Sequence, residues 1–221
     1  MQKKIIILLG APGSGKGTQA KLLAQTLGYT HISTGDLLRS LVSKEAETEE
    51  EKTIQTTMQA GKLVSDTLIY RLAFAAIQRS LSQGKGVVLD GAIRSVTQAE
   101  AYQHFFEEEG VDDACIAVEI AISDEESFHR LTKRKVCATC GNIVPFSPGT
   151  ADMNACPKCQ GTLIVRKDDN PETIAKRIQE QGNSMVRPIA SYYEQRGLLR
   201  RIDGTKTIEN VQKDILSVLS Q

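Results

Sequence analysis

A short apolar run, Ile5 to Leu9, stops at Gly10 and opens a loop reading Gly10-Ala-Pro-Gly-Ser-Gly-Lys-Gly-Thr18. Few folds accept four glycines and a lysine directly after a buried strand. Gly10, Gly13, Gly15 and Gly17 let backbone N–H groups turn inward as an anion nest, and the helix expected from Gly15 to Leu27 points its positive end at the same spot. Lys16 adds a mobile ammonium for the outer phosphates. Gly-x4-Gly-Lys behind a buried strand reads as a P-loop. Position 17 departs from the pattern, because glycine replaces the hydroxyl residue that normally meets Mg2+, and Thr18 comes one place late. The metal is then expected to be held by waters, phosphates and a nearby carboxylate, for which Asp90 at a strand end is the candidate.

The rest of the chain alternates in the same style. Gly86 to Asp90, Cys115 to Ile122 and Leu198 to Ile202 read as buried strands. Asp66 to Leu81, Thr97 to Glu109 and Thr207 to Leu219 read as helices. That alternation predicts an α/β fold, a parallel sheet covered on both faces. Two stretches break it. Thr34 to Val64 is polar and helical, with an acidic run at residues 45–51 that reads as a solvated face. Lys135 to Lys167 has little periodicity and looks like an insertion with its own means of staying folded.

Lysine and arginine total 27, as do aspartate and glutamate, so the formal net charge is zero. A broad nucleic-acid surface, which shows a basic excess, is not expected. The apolar run near the start is too short for a membrane span and carries no following small-residue cleavage site, so a cytoplasmic protein without a membrane partner is expected.

The insertion carries Cys137-x2-Cys140, fifteen residues, then Cys156-x2-Cys159. In a reducing compartment such pairs read as metal ligands before disulfides. Four thiolates at this spacing suit the closed tetrahedral site of structural Zn2+, which would supply the folding energy that a small insertion cannot draw from a core. Two disulfides, or a zinc ribbon on nucleic acid, stay open as alternatives. Cys115 reads as a buried strand residue without chemistry.

Arg39, Arg94, Arg130, Arg134, Arg166 and Arg177 fall at loops or element ends along the chain. Each alone would be an ordinary surface residue. Phosphoryl transfer, however, needs several guanidinium groups to neutralise two phosphate chains, and positioning with electrostatics carries its catalysis. His31, His104 and His129 have no motif context and read as structural.

Taken with Ser33-Thr-Gly-Asp-Leu-Leu-Arg39, Gly61-Lys-Leu-Val64, Asp90-Gly91 with Arg94 and Gln98, Arg166-Lys-Asp-Asp169, Lys176-Arg177 and Asp203-Gly-Thr-Lys206, these segments resemble the adenylate kinase family. The similarity is to its long form with a zinc-bearing lid and runs over essentially the whole chain. The resemblance implies a P-loop three-layer core (residues 1–32, 65–132 and 170–221), a helical monophosphate-binding insertion (33–64) and a zinc-binding lid (133–169).

It also implies reversible transfer of the terminal phosphate of ATP to AMP, giving two ADP, by a monomer that uses Mg2+ with ATP. Gly13, Ser14, Gly15, Lys16, Gly17 and Thr18 would hold the ATP phosphates, with Arg130, Ile143, Val144 and the Lys206 backbone near its adenine. Thr34, Arg39, Lys62, Leu63, Val64, Gly91, Ala92, Ile93, Arg94 and Gln98 would position AMP. Arg134, Arg166 and Arg177 would clamp phosphates as the lid closes, the last two reaching AMP as well. Asp90 would orient hydrated Mg2+, completing a catalytic set of Lys16, Asp90, Arg94, Arg134, Arg166 and Arg177. Asp168 and Asp169 would pair with these arginines.

Two segments depart from the family. Asp90-Gly-Ala-Ile-Arg94 stands where the family usually has Asp-Gly-Phe-Pro-Arg. Ala92 is thus expected to leave space for an absent ring, and the loop beside AMP to be rearranged. Ile143-Val144 stands where Thr-Tyr is common. These changes keep open a different monophosphate acceptor, or a nucleotide sensor without turnover.

Overall fold

The structure is a computed structural model, and it describes residues 4–37, 52, 65–146, 149–150, 152–165 and 170–220. The elements in order are β1 (Ile5–Leu9), α1 (Lys16–Leu27), β2 (Thr30–Ser33), α2 (Asp66–Ser82), β3 (Val87–Asp90), α3 (Val96–Glu108) and β4 (Cys115–Ala121). They continue with α4 (Asp124–Thr132), β5 (Lys135–Cys137), β6 (Ile143–Val144), β7 (Leu163–Val165), α5 (Pro171–Gln181), α6 (Asn183–Gln195), β8 (Leu199–Asp203) and α7 (Ile208–Leu219).

Five strands form a parallel sheet in the order β2-β3-β1-β4-β8. All five residues of β1 are buried, so both faces of this central strand need cover. The pleat sends Ile5, Ile7 and Leu9 to one side, where they meet Ala73 and Ile77 of α2, Tyr102 and Phe106 of α3, and Ile189 and Tyr193 of α6. Ile6 and Leu8 go to the other side, against Leu23 of α1 and Val211 and Ile215 of α7. Period-2 alternation within a continuous apolar strand therefore builds two separate cores, one per face. Helix, sheet and helix make three layers, as the chain's alternation predicts. Cys115, wholly buried, opens β4.

The helix starts show why the chain folds where it does. Ser95, Ser123, Asn170 and Thr207 each accept a hydrogen bond from the backbone N–H three residues on, and Pro171 stands just inside α5. These are ordinary N-caps, each satisfying one orphan donor of the first turn. The cap at Ser95 starts α3 a residue before the predicted Thr97. Strand β2 and helices α4, α5 and α6 were not assigned from the sequence. Thr34 to Leu37 are helical, in keeping with the expectation for that stretch, whose remainder apart from helical Lys52 lies outside the described residues.

The aperiodic insertion turns out to contain strands. β5, β6 and β7 form an antiparallel sheet in the order β6-β5-β7, too short in each strand to show a period. Ala92 and Ile93 also differ from expectation. They are 4 % and 6 % exposed and belong to the apolar cluster under α2, α3 and α6, so the smaller side chain is packed in place.

Leu89 is wholly buried at the centre of that cluster. Leu89→Ala should cost about 2–5 kcal/mol, through lost transfer energy and a residual cavity. Urea unfolding should show a lower midpoint with an unchanged m-value.

Candidate active site

The glycine loop bridges the end of β1 and the start of α1, at the carboxyl edge of the sheet. Strand order reverses here, since β1 lies between β3 and β4, and ligands of open α/β sheets gather at such a crevice. Gly10, Gly13 and Gly15 have φ of 142°, 82° and 98°. Added bulk has no room at two of them. A Cβ on Gly10 would stand 2.5 Å from the Ile120 carbonyl, and one on Gly13 would meet Leu131 and the Ser127 carbonyl within 3.2 Å. Helix α4 thus braces the loop from outside, and Ser127 donates to the Pro12 carbonyl.

Lys16 begins α1 and folds back over the loop, donating to Ala11 O at 2.9 Å and to Ser14 Oγ at 3.4 Å. Burial pushes its pKa down to about 8. Asp90 opposes this, while Arg94 and Arg177 push it lower still. Residues far apart in sequence therefore share one electrostatic neighbourhood: Lys16, Asp90, Arg94 and Arg177.

Asp90 ends β3, in register with Leu8 of β1 and Ser33 of β2. Its Oδ2 would stand 3.2 Å from a Cβ placed on Gly17. The carboxylate thus lies directly beside position 17, and a larger residue there would push it aside by a few tenths of an ångström. A hard, oxygen-preferring cation such as Mg2+ fits this donor chemistry, with Asp90 as the available carboxylate.

Beyond β3, Thr34 Oγ1 donates to Gly91 O at 2.9 Å and Arg94 Nε donates to the same carbonyl at 3.2 Å. Gln98 is 8 % exposed and fully engaged. Its Oε1 accepts from the Arg94 N–H at 2.7 Å, and its Nε2 donates to Asp66 Oδ1 at 2.8 Å. The amide expected to meet a base edge is spoken for in this conformation, and it fixes the backbone of Arg94.

A second locus gathers Arg130, Asp203 and Lys206. Thr205 donates to Asp203 Oδ1 through its hydroxyl (2.6 Å) and its N–H (2.9 Å), which lowers that carboxyl's pKa, and Lys206 and Arg130 add to the effect. The Lys206 ammonium donates to Asp214 at 2.7 Å. Ile143 is 40 % exposed, whereas Val144 is 4 % exposed and faces inward. Arg134 follows α4, its N–H on Leu131 O at 3.4 Å. Arg39, Lys62, Leu63, Val64, Arg166, Asp168 and Asp169 lie outside the described residues.

The four cysteines do come together, their sulfurs all within 4.8 Å of one another. Cys137 and Cys159 sulfurs are 3.5 Å apart, and those of Cys140 and Cys156 are 3.7 Å apart. All four cysteines are free in this structure, and all four sulfurs share one cluster, which favours metal ligation over disulfides. A tetrahedron with Zn–S near 2.3 Å needs sulfurs ~3.8 Å apart, which this cluster approximates. Backbone N–H groups of Cys140 and Lys158 point at Cys137 and Cys156 sulfurs, each at 3.4 Å. The Cys140 N–H, against the effect of burial, holds the Cys137 thiol down to about 6. A dication would further favour thiolates crowded so closely.

His31, which has no motif context in the sequence, lies beside Asp90. Its Nε2 is buried without a hydrogen-bond partner and lies 3.6 Å from Asp90 Oδ2. The β-branched pattern Thr30-His-Ile-Ser33 could have revealed β2, but only its register beside β3 brings the imidazole to that carboxylate.

A protein-family model described as adenylate kinase matches residues 8–198. The chain belongs to the adenylate kinase family. It is 38 % identical over 217 residues to an adenylate kinase of Staphylococcus aureus, covering 97 % of this chain and 98 % of the relative. An adenylate kinase of Lachnoclostridium phytofermentans is 38 % identical over 218 residues, covering 98 % of each. One of Thermotoga petrophila is 36 % identical over 220 residues, covering 97 % and 96 %. The matched span takes in the glycine loop, Asp90, Arg94, the four cysteines and Arg177.

The lowered pKa of Lys16 has a measurable sign. An unfolded lysine keeps its proton to about 10.5, whereas the folded one releases it near 8. Between these values the unfolded state binds more protons, so this residue's burial penalty is relieved as pH rises from 8 towards 10.5. Lys16→Met should flatten that part of the stability profile, read as the difference between the two proteins in urea melts at pH 7.5 and 10.

Proposed function

We propose that the chain catalyses reversible transfer of the terminal phosphate of ATP to AMP, giving two ADP. The observation that carries this reading is the shared neighbourhood of Lys16, Asp90, Arg94 and Arg177 at the sheet's carboxyl edge, in a chain of this family.

In this reading the nest from Gly13 to Thr18 holds the ATP phosphates, and phosphate charge pulls the pKa of Lys16 back up and keeps its ammonium. Arg94, its backbone fixed by Gln98, meets the AMP phosphate. Arg177, together with Arg134 and Arg166, spreads the charge of the group in transit. None of these residues needs to form a covalent bond, because alignment and charge stabilisation lower the barrier. Mg2+ bound with ATP would add charge neutralisation, its waters oriented by Asp90. Arg130 and the Lys206 backbone flank the ATP base.

AMP is the preferred acceptor, with Thr34, Arg39, residues 62–64, Gly91 to Ile93 and Gln98 around it. Adenine capture by Gln98 would require its amide to exchange Asp66 for the base. A different acceptor, or loss of turnover, is not favoured: Ala92 and Ile93 are packed into the core, and Lys16 and Arg94 are in place. Residues 133–169 act as a lid whose closure excludes water, so phosphate passes to AMP in preference to hydrolysis. Zn2+ on Cys137, Cys140, Cys156 and Cys159 would cross-link that lid. Among the described residues, no helix is long and apolar enough to cross a membrane.

A coupled assay should show ADP forming from ATP plus AMP. Arg94→Ala should cut the rate at least a hundredfold while the melting temperature stays close to that of the parent. Absence of ADP with folded, metal-loaded protein would sink the assignment.

Chelation should lower the melting temperature, since the sheet β6-β5-β7 would lose its cross-link. Unchanged melting after verified metal loss would exclude a structural role for the four sulfurs.

A further inference from the structure

Helix α4 begins with three acids, Asp124, Glu125 and Glu126. An acidic first turn is ordinary, because it complements the helix dipole. The Ser123 cap with an acid three residues on would also read as a capping box, in which Glu126 reaches back to the cap. The side chains are arranged otherwise. Ser123 Oγ accepts from the Glu126 N–H at 3.1 Å, while Glu125 takes the Ser123 hydroxyl bond. Cap chemistry is served without the Glu126 carboxylate.

That carboxylate points along the helix. Its Oε1 accepts from Arg130 Nε at 2.6 Å, with the arginine side chain only 20 % exposed. Glutamate four residues before arginine is the favourable orientation for such a pair. Its Oε2 faces His129 Nδ1 at 3.8 Å. Lys133 Nζ lies 2.8 Å from His129 Nε2, and an ammonium can only donate, so Nε2 accepts and the ring proton sits on Nδ1, towards Glu126. His129 packs edge-on against Phe146, which follows β6, and Lys133 lies 4.7 Å above the same ring. The carboxylate is thus held by its Oε1 bond to Arg130, with the His129 ring beside its other oxygen.

Gripping Arg130 through Nε leaves its outer nitrogens without a hydrogen-bond partner among the described residues, and the charge of Arg130 is felt at Asp203, as is that of Lys206. We propose that Glu126 is a positioning residue for ATP, holding the Arg130 guanidinium in the orientation that meets the base. This deepens the functional reading above and rests on it for the role of Arg130. A guanidinium already fixed loses less side-chain freedom when the nucleotide arrives, so the gain is in ATP affinity.

The test is a double-mutant cycle read by steady-state kinetics with both substrates. Glu126→Leu should raise the KM for ATP about five- to tenfold and leave the KM for AMP and the melting temperature nearly unchanged. Glu126→Gln, which keeps an oxygen for Nε, should recover most of the loss. In an Arg130→Ala background, Glu126→Leu should do nothing further. A Glu126→Leu effect of full size in that background, or a fall in melting temperature with an unchanged KM for ATP, would overturn the proposal in favour of a helix-stability role. An unchanged KM for ATP in Arg130→Ala alone would remove the assignment of Arg130 and the proposal with it, while ADP formation still stood.

Discussion

Like charges do not gather unaided, and this molecule gathers them. Lys16, Arg94 and Arg177 share one neighbourhood with the Asp90 carboxylate. Burying the Lys16 ammonium beside two guanidinium groups costs free energy, and its depressed pKa reports that cost, burial first and the arginines after it. The scaffold supplies it through the two apolar cores, which lock β1 and β3 side by side and so fix the loop and Asp90 relative to each other. A phosphate chain entering such a site meets donors already in place, and little reorganisation remains for the reaction step.

The same scaffold explains the one irregularity in the glycine loop. With serine or threonine at position 17 a Cβ would press on Asp90 Oδ2. Position 17 offers no hydroxyl, and the carboxylate beside it, at the end of β3, is charged and tied to the sheet. His31, brought in by β2, stands behind it.

The small sheet β6-β5-β7 folds on different terms. Its strands span two or three residues each, and Ile143, Ile164 and Val165 remain exposed, so apolar burial contributes little there. Four sulfurs lie within 4.8 Å of one another there, close enough to share one metal ion. At the base of the sheet, the packing of Phe146 on His129 and Lys133 joins it to α4, the helix that also braces the glycine loop through Leu131 and Ser127.

Local chemistry alone determined much of this protein. The glycine loop, the continuous apolar strands and the paired cysteines each act within a few residues, so the P-loop, the layered parallel sheet and a four-sulfur cluster were legible in the chain. Helices α4 to α6 escaped notice, although Ser123 and the Asn170-Pro171 pair carry ordinary starting signals. Strands β2, β5, β6 and β7 are too short to show a period. What the tertiary structure decided was which distant groups meet: Asp90 with Gly17 and His31, Gln98 with Asp66, Arg177 with Lys16. Those pairings depend on strand order and register, set by the burial of both sheet faces at once, and no local pattern carries that information.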